Sequence, residues 1–331
     1  MNTGKLTIAV TGVGAIIGQG IVKSLRQSKY NVRVVGIDRS DNSPGPRLVD
    51  IFEKKPDGAE DSQTYLEYWE RIIRVHGIEL VLPGLELDML FFNAHRDFFS
   101  RLGVKVALNN PQLIEQTADK WAFGQALTAS GYRAIPAARP QSWSEAISAL
   151  GPAPLLLKPL RGNGSRGIVL LHDEADFDYW KSKSLSEWMV QRVVGTIETE
   201  YTVGVFGMGK SGTLGPLIFR RRLSSAGNTL TAEVVSAHPV IEAAVATLMQ
   251  TFDPIGPTNF QFRLESDHAY LLEINPRFSS SNSLRTAFGF NEAEMAVDFY
   301  LYGKTPAMPR ITTGIAWRYT EDFVTHASDS V

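Results

Sequence analysis

Thr258-Asn-Phe-Gln261-Phe-Arg-Leu-Glu-Ser-Asp-His-Ala-Tyr-Leu-Leu-Glu273-Ile-Asn275-Pro-Arg277 decides the reading of this chain, because it sets a Gln, a Glu and an Asn on two short hydrophobic runs of alternating character. Such runs predict paired antiparallel strands. On adjacent strands Gln261, Glu273 and Asn275 point to one face and offer only oxygens, which suits Mg²⁺, or Mn²⁺, held between protein and nucleotide phosphates. Arg277 follows at once as a fixed cation. Metal and guanidinium together make a site suited to phosphoryl transfer.

Working outward, 331 residues with 44% hydrophobic and 21% charged side chains can bury large cores, so two or three folded domains are expected rather than disorder. The formal charge of −2 gives no bulk attraction for nucleic acid and favours small-molecule partners. The absence of Cys removes disulfides, thiolate catalysis and Cys-bound metal centres, in keeping with a cytoplasmic setting. The apolar run after Lys5 is interrupted by glycines and Gln19 and reads as strand, loop and helix. No stretch is long enough to span a bilayer, so no membrane partner is expected.

The first third alternates strands (6–10, 32–38, 80–82, 104–107) with helices (18–26, 64–76, 88–102), the pattern of a parallel sheet covered by helices. A composition break at Asn109-Asn110-Pro111 marks a boundary, giving domains 1–110 and 111–331. One helix over 112–130 carries Lys120. After a loop at 134–140, strands at 155–158, 168–171 and 188–193 and a helix at 173–183 make a lid over about 130–193. Strands at 201–206, 214–219 and 230–235 and a helix at 240–251 lead into the opening pair. The fold class is therefore α/β plus α+β, a Rossmann-like parallel sheet followed by a mixed domain with a small lid.

Lys158 ends a hydrophobic strand and opens Pro159-Leu-Arg-Gly162-Asn-Gly164-Ser165-Arg-Gly167. That turn either lets backbone N–H groups approach phosphates or is an ordinary hairpin with a strand-end lysine. Alternation along Arg220-Arg-Arg222 sends Arg220 and Arg222 to one side and Arg221 to the other. The run is either a substrate contact or a solvated basic edge.

The run Leu272-Glu-Ile-Asn-Pro-Arg-Phe-Ser-Ser-Ser-Asn-Ser-Leu284, with Gln261 upstream, resembles the metal-binding end of the ATP-grasp ligases. It is most similar to the ATP-binding domain of carbamoyl phosphate synthetase large chains, in a short, stand-alone form. The resemblance implies a pre-ATP-grasp domain, then an ATP-grasp domain whose metals lie on Gln261, Glu273 and Asn275. It further implies that Lys120, Lys158, Gly164 and Ser165 contact phosphates. On the same resemblance Gln191, Arg192, Val193 and Val194 would form the adenine-reading hinge, with Gln191 a weaker contact because the family usually has an acidic residue there, and Glu200 would accept the ribose hydroxyls, with Glu198 as competitor. Arg277 and Lys158 are the candidate catalytic residues, and Arg220, Arg222 and Ser281 the candidate substrate contacts. The implied reaction turns a carboxylate into an acyl phosphate and joins it to an amine, with ATP and Mg²⁺ as cofactors and a homodimer as a possible assembly. Where carbamoyl phosphate synthetases place a His, this chain has Ser224-Ser-Ala-Gly-Asn, which departs from carbamate chemistry. The stretch after Asn291 is shorter than a biotin carboxylase requires.

Two motifs compete. Gly12-Val-Gly14-Ala-Ile-Ile-Gly18 after a strand, with Asp38 ending the next, approximates a dinucleotide fingerprint and keeps an NAD(P) oxidoreductase as the rival. Gly204-Val-Phe-Gly-Met-Gly209-Lys210-Ser211 spells a P-loop, but Gly212-Thr-Leu-Gly-Pro216 continues as strand rather than helix, so a hairpin tip is expected at Lys210.

Overall fold

A computed structural model describes residues 5–58, 62–162, 167–184, 186–224, 227, 229–319 and 321–324. The chain forms two compact units: Met1–Ala107 with Thr229–Glu233 and Ser280–Val331, and Leu108–Asn228 with Val234–Ser279.

The first unit is built on β1 (Leu6–Thr11), α1 (Ile16–Arg26), β2 (Val32–Asp38), β3 (Ile51–Lys54), α2 (Gln63–His76), β4 (Leu80–Leu82), α3 (Glu86–Ala94), α4 (Arg96–Arg101) and β5 (Lys105–Val106). The five strands pair in parallel in the order β3-β2-β1-β4-β5. Ile8, Ala9, Val10, Val34, Val35, Ile37, Leu80, Val81 and Leu82 are all fully buried. Such unbroken apolar runs are what a sheet covered on both faces needs. Along α2, Tyr65, Trp69, Ile72 and Ile73 form one buried stripe at helical spacing. Trp69 packs edge-on against Phe92 (4.9 Å) and Phe99 (5.9 Å). The helix expected over 88–102 is two, because His95 leaves the helical region at φ −119°, ψ 25°. The Arg96 guanidinium donates across that break to Asn93 Oδ1.

The second unit comprises α5 (Pro111–Thr117), α6 (Lys120–Ala129), β6 (Ala137–Ala138), α7 (Trp143–Leu150), β7 (Leu155–Pro159), β8 (Val169–Leu171), α8 (Glu174–Lys183), β9 (Trp188–Arg192), β10 (Glu200–Met208), β11 (Thr213–Leu223), the end of β12 (Thr229–Val235), α9 (Pro239–Phe252), β13 (Ile255–Glu265) and β14 (His268–Asn275). A small sheet, β6-β9-β7-β8, closes over its own core of Ala146, Leu155, Leu157, Leu171, Phe177 and Val190. A larger antiparallel sheet runs β14-β13-β10-β11. One of its faces buries Val203, Val205, Phe260, Phe262 and Ile274 against Ile241, Val245 and Leu248 of α9. The helix expected over 112–130 is also two. Asp119 Oδ1 accepts from the N–H groups of Trp121 and Ala122, both at 3.0 Å, and so starts α6 afresh. The loop at 134–140 contains β6, which pairs with β9.

The chain then returns to the first unit through α10 (Asn282–Ala287), α11 (Glu292–Ala296) and β15 (Ile315–Trp317), the last pairing antiparallel with Thr231–Glu233 of β12. Arg285 and Glu292, both fully buried there, form an ion pair at 3.0 Å. Among the described residues no helix is long and apolar enough to cross a membrane.

Candidate functional site

On the face of the larger sheet turned away from α9, side chains of four neighbouring strands meet. Gln261 of β13 lies opposite Glu273 of β14, and Asn259 opposite Asn275. Between Gln261 and Phe262 the register shifts, leaving Leu272 as a surplus residue, a β-bulge. Glu273 Oε1 accepts from Gln261 Nε2 at 2.5 Å and from Asn275 Nδ2 at 2.7 Å. The three residues read as a metal set thus converge.

Arg221 of β11, which the sequence reading passed over, enters the same group. Its Nε and Nη2 donate to Glu200 Oε1 at 3.1 and 2.8 Å, and Nη2 also donates to Gln261 Oε1. Arg263 Nε donates to the other oxygen of Glu200 at 2.9 Å. Arg263 had a legible signal, since it stands two residues after Gln261 on one strand and shares its face. Arg221 had only the alternation that set it apart from its neighbours. Arg220 and Arg222, expected as substrate contacts, are exposed while Arg221 is 6% exposed. The strand's phase is set by pairing Tyr201 with Arg220, which leaves Arg221 beside Glu200.

Lys158, at the end of β7, is buried, and its Nζ donates to Gln191 Oε1 at 2.5 Å. Desolvation, with the charges of Lys120 and Arg263, brings its ammonium down to about 8, while the Glu273 and Glu200 carboxylates oppose the shift. Lys120 opens α6 and reaches the glycine turn, its Nζ donating to the Gly162 carbonyl at 2.6 Å and its N–H to that of Leu160 at 2.9 Å. Gly164 and Ser165 lie outside the described residues. In the segment expected to form the hinge, Val194 packs with Ile135 and Tyr270, and Arg192 is tied to Glu265 (2.7 Å) and the Tyr270 hydroxyl (3.2 Å). Val193 is half-buried beside them, and Glu198 is exposed. Arg277 folds back on the strand end, its N–H on the Asn275 carbonyl at 2.8 Å and its Nη1 on that of Phe278. Ser281 belongs to the first unit, where it is fully buried and its hydroxyl shares a 3.0 Å hydrogen bond with Thr229.

The donor chemistry can be matched to a divalent cation. Glu273 and Asn275 supply hard oxygen atoms on alternate, half-buried positions of one strand and fit Mg²⁺. Gln261 fits less well, because its oxygen is held by a guanidinium. Among the described residues no three His, Cys, Asp or Glu side chains gather to hold a metal.

Both competing motifs resolve. Gly14 gives its N–H to Asp38 Oδ2 at 2.8 Å, so the amide and the acid that a dinucleotide would need are spent on each other. Gly45 closes over this turn, and a Cβ there would come within 2.8 Å of the Gly14 nitrogen. Lys210 stands exposed on the β10–β11 hairpin, closed by Met208 N–H to Gly212 O at 2.9 Å. Lys210→Ala is accordingly expected to leave nucleotide affinity within about twofold of the parent, a surface change of under ~0.5 kcal/mol; isothermal titration with ADP checks it.

Residues 184–323 match the family model described as ATP-grasp in the biosynthetic pathway with Ter operon. An uncharacterized protein of Sinorhizobium fredii, y4rH, is 26% identical over 217 residues, 57% of this chain but only 43% of that one. Among solved structures, N5-carboxyaminoimidazole synthetase from Staphylococcus aureus complexed with ADP superposes with a TM-score of 0.73 at 17% identity, over 94% of this chain and 82% of that one. The biotin carboxylase domain of the Hydrogenobacter thermophilus 2-oxoglutarate carboxylase, in complex with MgADP, ADP and bicarbonate, gives 0.70 at 14%, over 94% and 74%. Residues 184–323, which include the strands that carry Glu200, Gln261, Glu273 and Asn275, thus match an ATP-grasp family model, and the chain shares the fold of these solved structures.

Proposed function

We propose that the chain is an ATP-dependent ligase that phosphorylates a carboxylate and passes the resulting acyl phosphate to an amine, releasing ADP and phosphate. The observation that carries this reading is the convergence of Gln261, Glu273 and Asn275 on one face of the larger sheet, where Glu273 Oε1 accepts from both amides. Lys158 and Lys120 neutralise the phosphates from one side and the glycine turn gives them backbone donors. Glu273 and Asn275 would hold Mg²⁺, which when bound spreads the charge of the transferring phosphoryl group. The substrate carboxylate oxygen attacks the terminal phosphorus and ADP departs. The amine then attacks the acyl carbon, phosphate leaves, and the amine gives up a proton. Arg277 sits at the strand end, where it steadies the acyl phosphate. No side-chain nucleophile is required, since positioning and electrostatics supply the rate.

ADP release measured with Mg²⁺ across pairs of carboxylates and amines tests the reading. Turnover that needs both partners supports it, and release that no pair stimulates removes the amine-joining step. The solved structure with MgADP and bicarbonate supports a second reading, in which bicarbonate is the acid phosphorylated; incorporation of labelled bicarbonate distinguishes the two.

Because the Lys158 ammonium titrates near 8, it is charged below that value and neutral above it. Nucleotide phosphates bind the charged form, so affinity for ADP is expected to fall by up to about tenfold per pH unit as pH rises through about 8. Lys158→Arg, permanently charged, should flatten that profile. Equal slopes in both proteins would remove Lys158 from the phosphate site.

A further inference from the structure

Phosphoryl-transfer sites neutralise their substrate with one metal ion or two. Resting on the ligase reading above, we propose that Arg221 takes, as a fixed charge, the place of a second divalent cation, so that this chain binds its nucleotide with a single metal ion on Glu273 and Asn275. Gln261 holds Arg221 and orients Glu273 instead of ligating metal.

Three observations carry this. First, the oxygen of Gln261, its sole metal-binding atom, accepts from Arg221 Nη2, while its nitrogen donates to Glu273 Oε1 at 2.5 Å. The amide is thereby locked with its oxygen toward a cation and its hydrogens toward the acid. A divalent ion on that oxygen would have to sit against the guanidinium. Second, Arg221 is not a mobile surface arginine. Its side chain is 5% exposed, and two of its nitrogens grip one oxygen of Glu200 at 3.1 and 2.8 Å. Third, Arg221 and Arg263 both pair with Glu200, two guanidinium groups against one carboxylate, which leaves one guanidinium charge that only Glu273, on the far side of the Gln261 amide, faces. An acid at position 261 would cancel that charge and offer a metal a ligand. A neutral amide keeps it. Arg221 is thus a positioning residue for Glu273 and a permanent part of the site's charge.

The test counts ions. Mn²⁺ is titrated by electron paramagnetic resonance into the full chain saturated with the non-hydrolysable β,γ-imido analogue of ATP. One ion per chain is expected. Gln261→Ala should keep that ion, whereas Glu273→Gln should weaken it by at least about 10-fold. Arg221→Met combined with Gln261→Glu removes the guanidinium and supplies an acid, and should raise the count to two; circular dichroism shows whether that variant is folded, and if it is not, the Gln261→Ala result decides. Two ions on the unaltered chain, or a loss in Gln261→Ala equal to that in Glu273→Gln, overturns the proposal and leaves the ligase reading standing. Absence of any nucleotide-dependent Mn²⁺ overturns both.

Discussion

Glu273→Gln is expected to lower Mg²⁺-dependent ADP release by about 10²–10³-fold while leaving the melting temperature nearly unchanged. The size follows from what one charged ligand does in such a site: removing a single preorganised electrostatic contact to a developing charge costs on the order of 3–4 kcal/mol. Fold preservation follows from geometry. Glu273 is half-buried on the open face, and the core side of β14 is carried by Leu271 and Ile274 instead. The amide oxygen of the new Gln can still accept from Gln261 Nε2 and Asn275 Nδ2, so both neighbours keep a partner. Steady-state ADP release, with a thermal melt on the same preparation, checks both halves. Turnover above a tenth of the parent's would mean that the metal is held elsewhere.

The largest effect on stability is expected in the first unit, at Glu292→Ala. Arg285 Nη1 donates to both oxygens of Glu292, at 3.0 and 3.2 Å, and neither side chain has any exposed surface. Burial raises the Glu292 carboxyl above its usual range, and the guanidinium works against that rise. Removing the acid leaves a guanidinium in a dry interior without its carboxylate, which costs about 3–5 kcal/mol. Replacing both partners, Glu292→Leu with Arg285→Met, should cost far less, because the desolvation penalty leaves with the charges. Urea unfolding of the single and double variants checks this. A double variant as unstable as Glu292→Ala would show that packing, not charge, sets the loss.

Much of this was readable in the sequence. The continuous apolar runs of β1, β2 and β4 announce a parallel sheet, and the alternation around Gln261 and Glu273 announces the antiparallel pair, because each pattern has one physical solution. What was missed depended on pairing between distant segments. Alternation separated Arg221 from Arg220 and Arg222, but only the register against Tyr201 says which side faces Glu200. The hydrogen bond of Ser281 has no local signature, because its partner, Thr229, lies far back in the chain. The helix break at Asp119 reflects competition between a local side-chain bond and helix continuation, which periodicity alone does not weigh.

The surplus residue at Leu272 resets the alternation of β14 partway along its length. Before it, Ala269 and Leu271 face the apolar interior; after it, Ile274 returns to that interior while Glu273 and Asn275 face the site. In a perfectly regular ladder these demands would be locked in step, and any shift made to suit one would rotate the other by half a turn. A single extra residue changes the phase once, so that Leu271 and Ile274 both reach the interior while Glu273 keeps its aim toward Gln261 and Asn275.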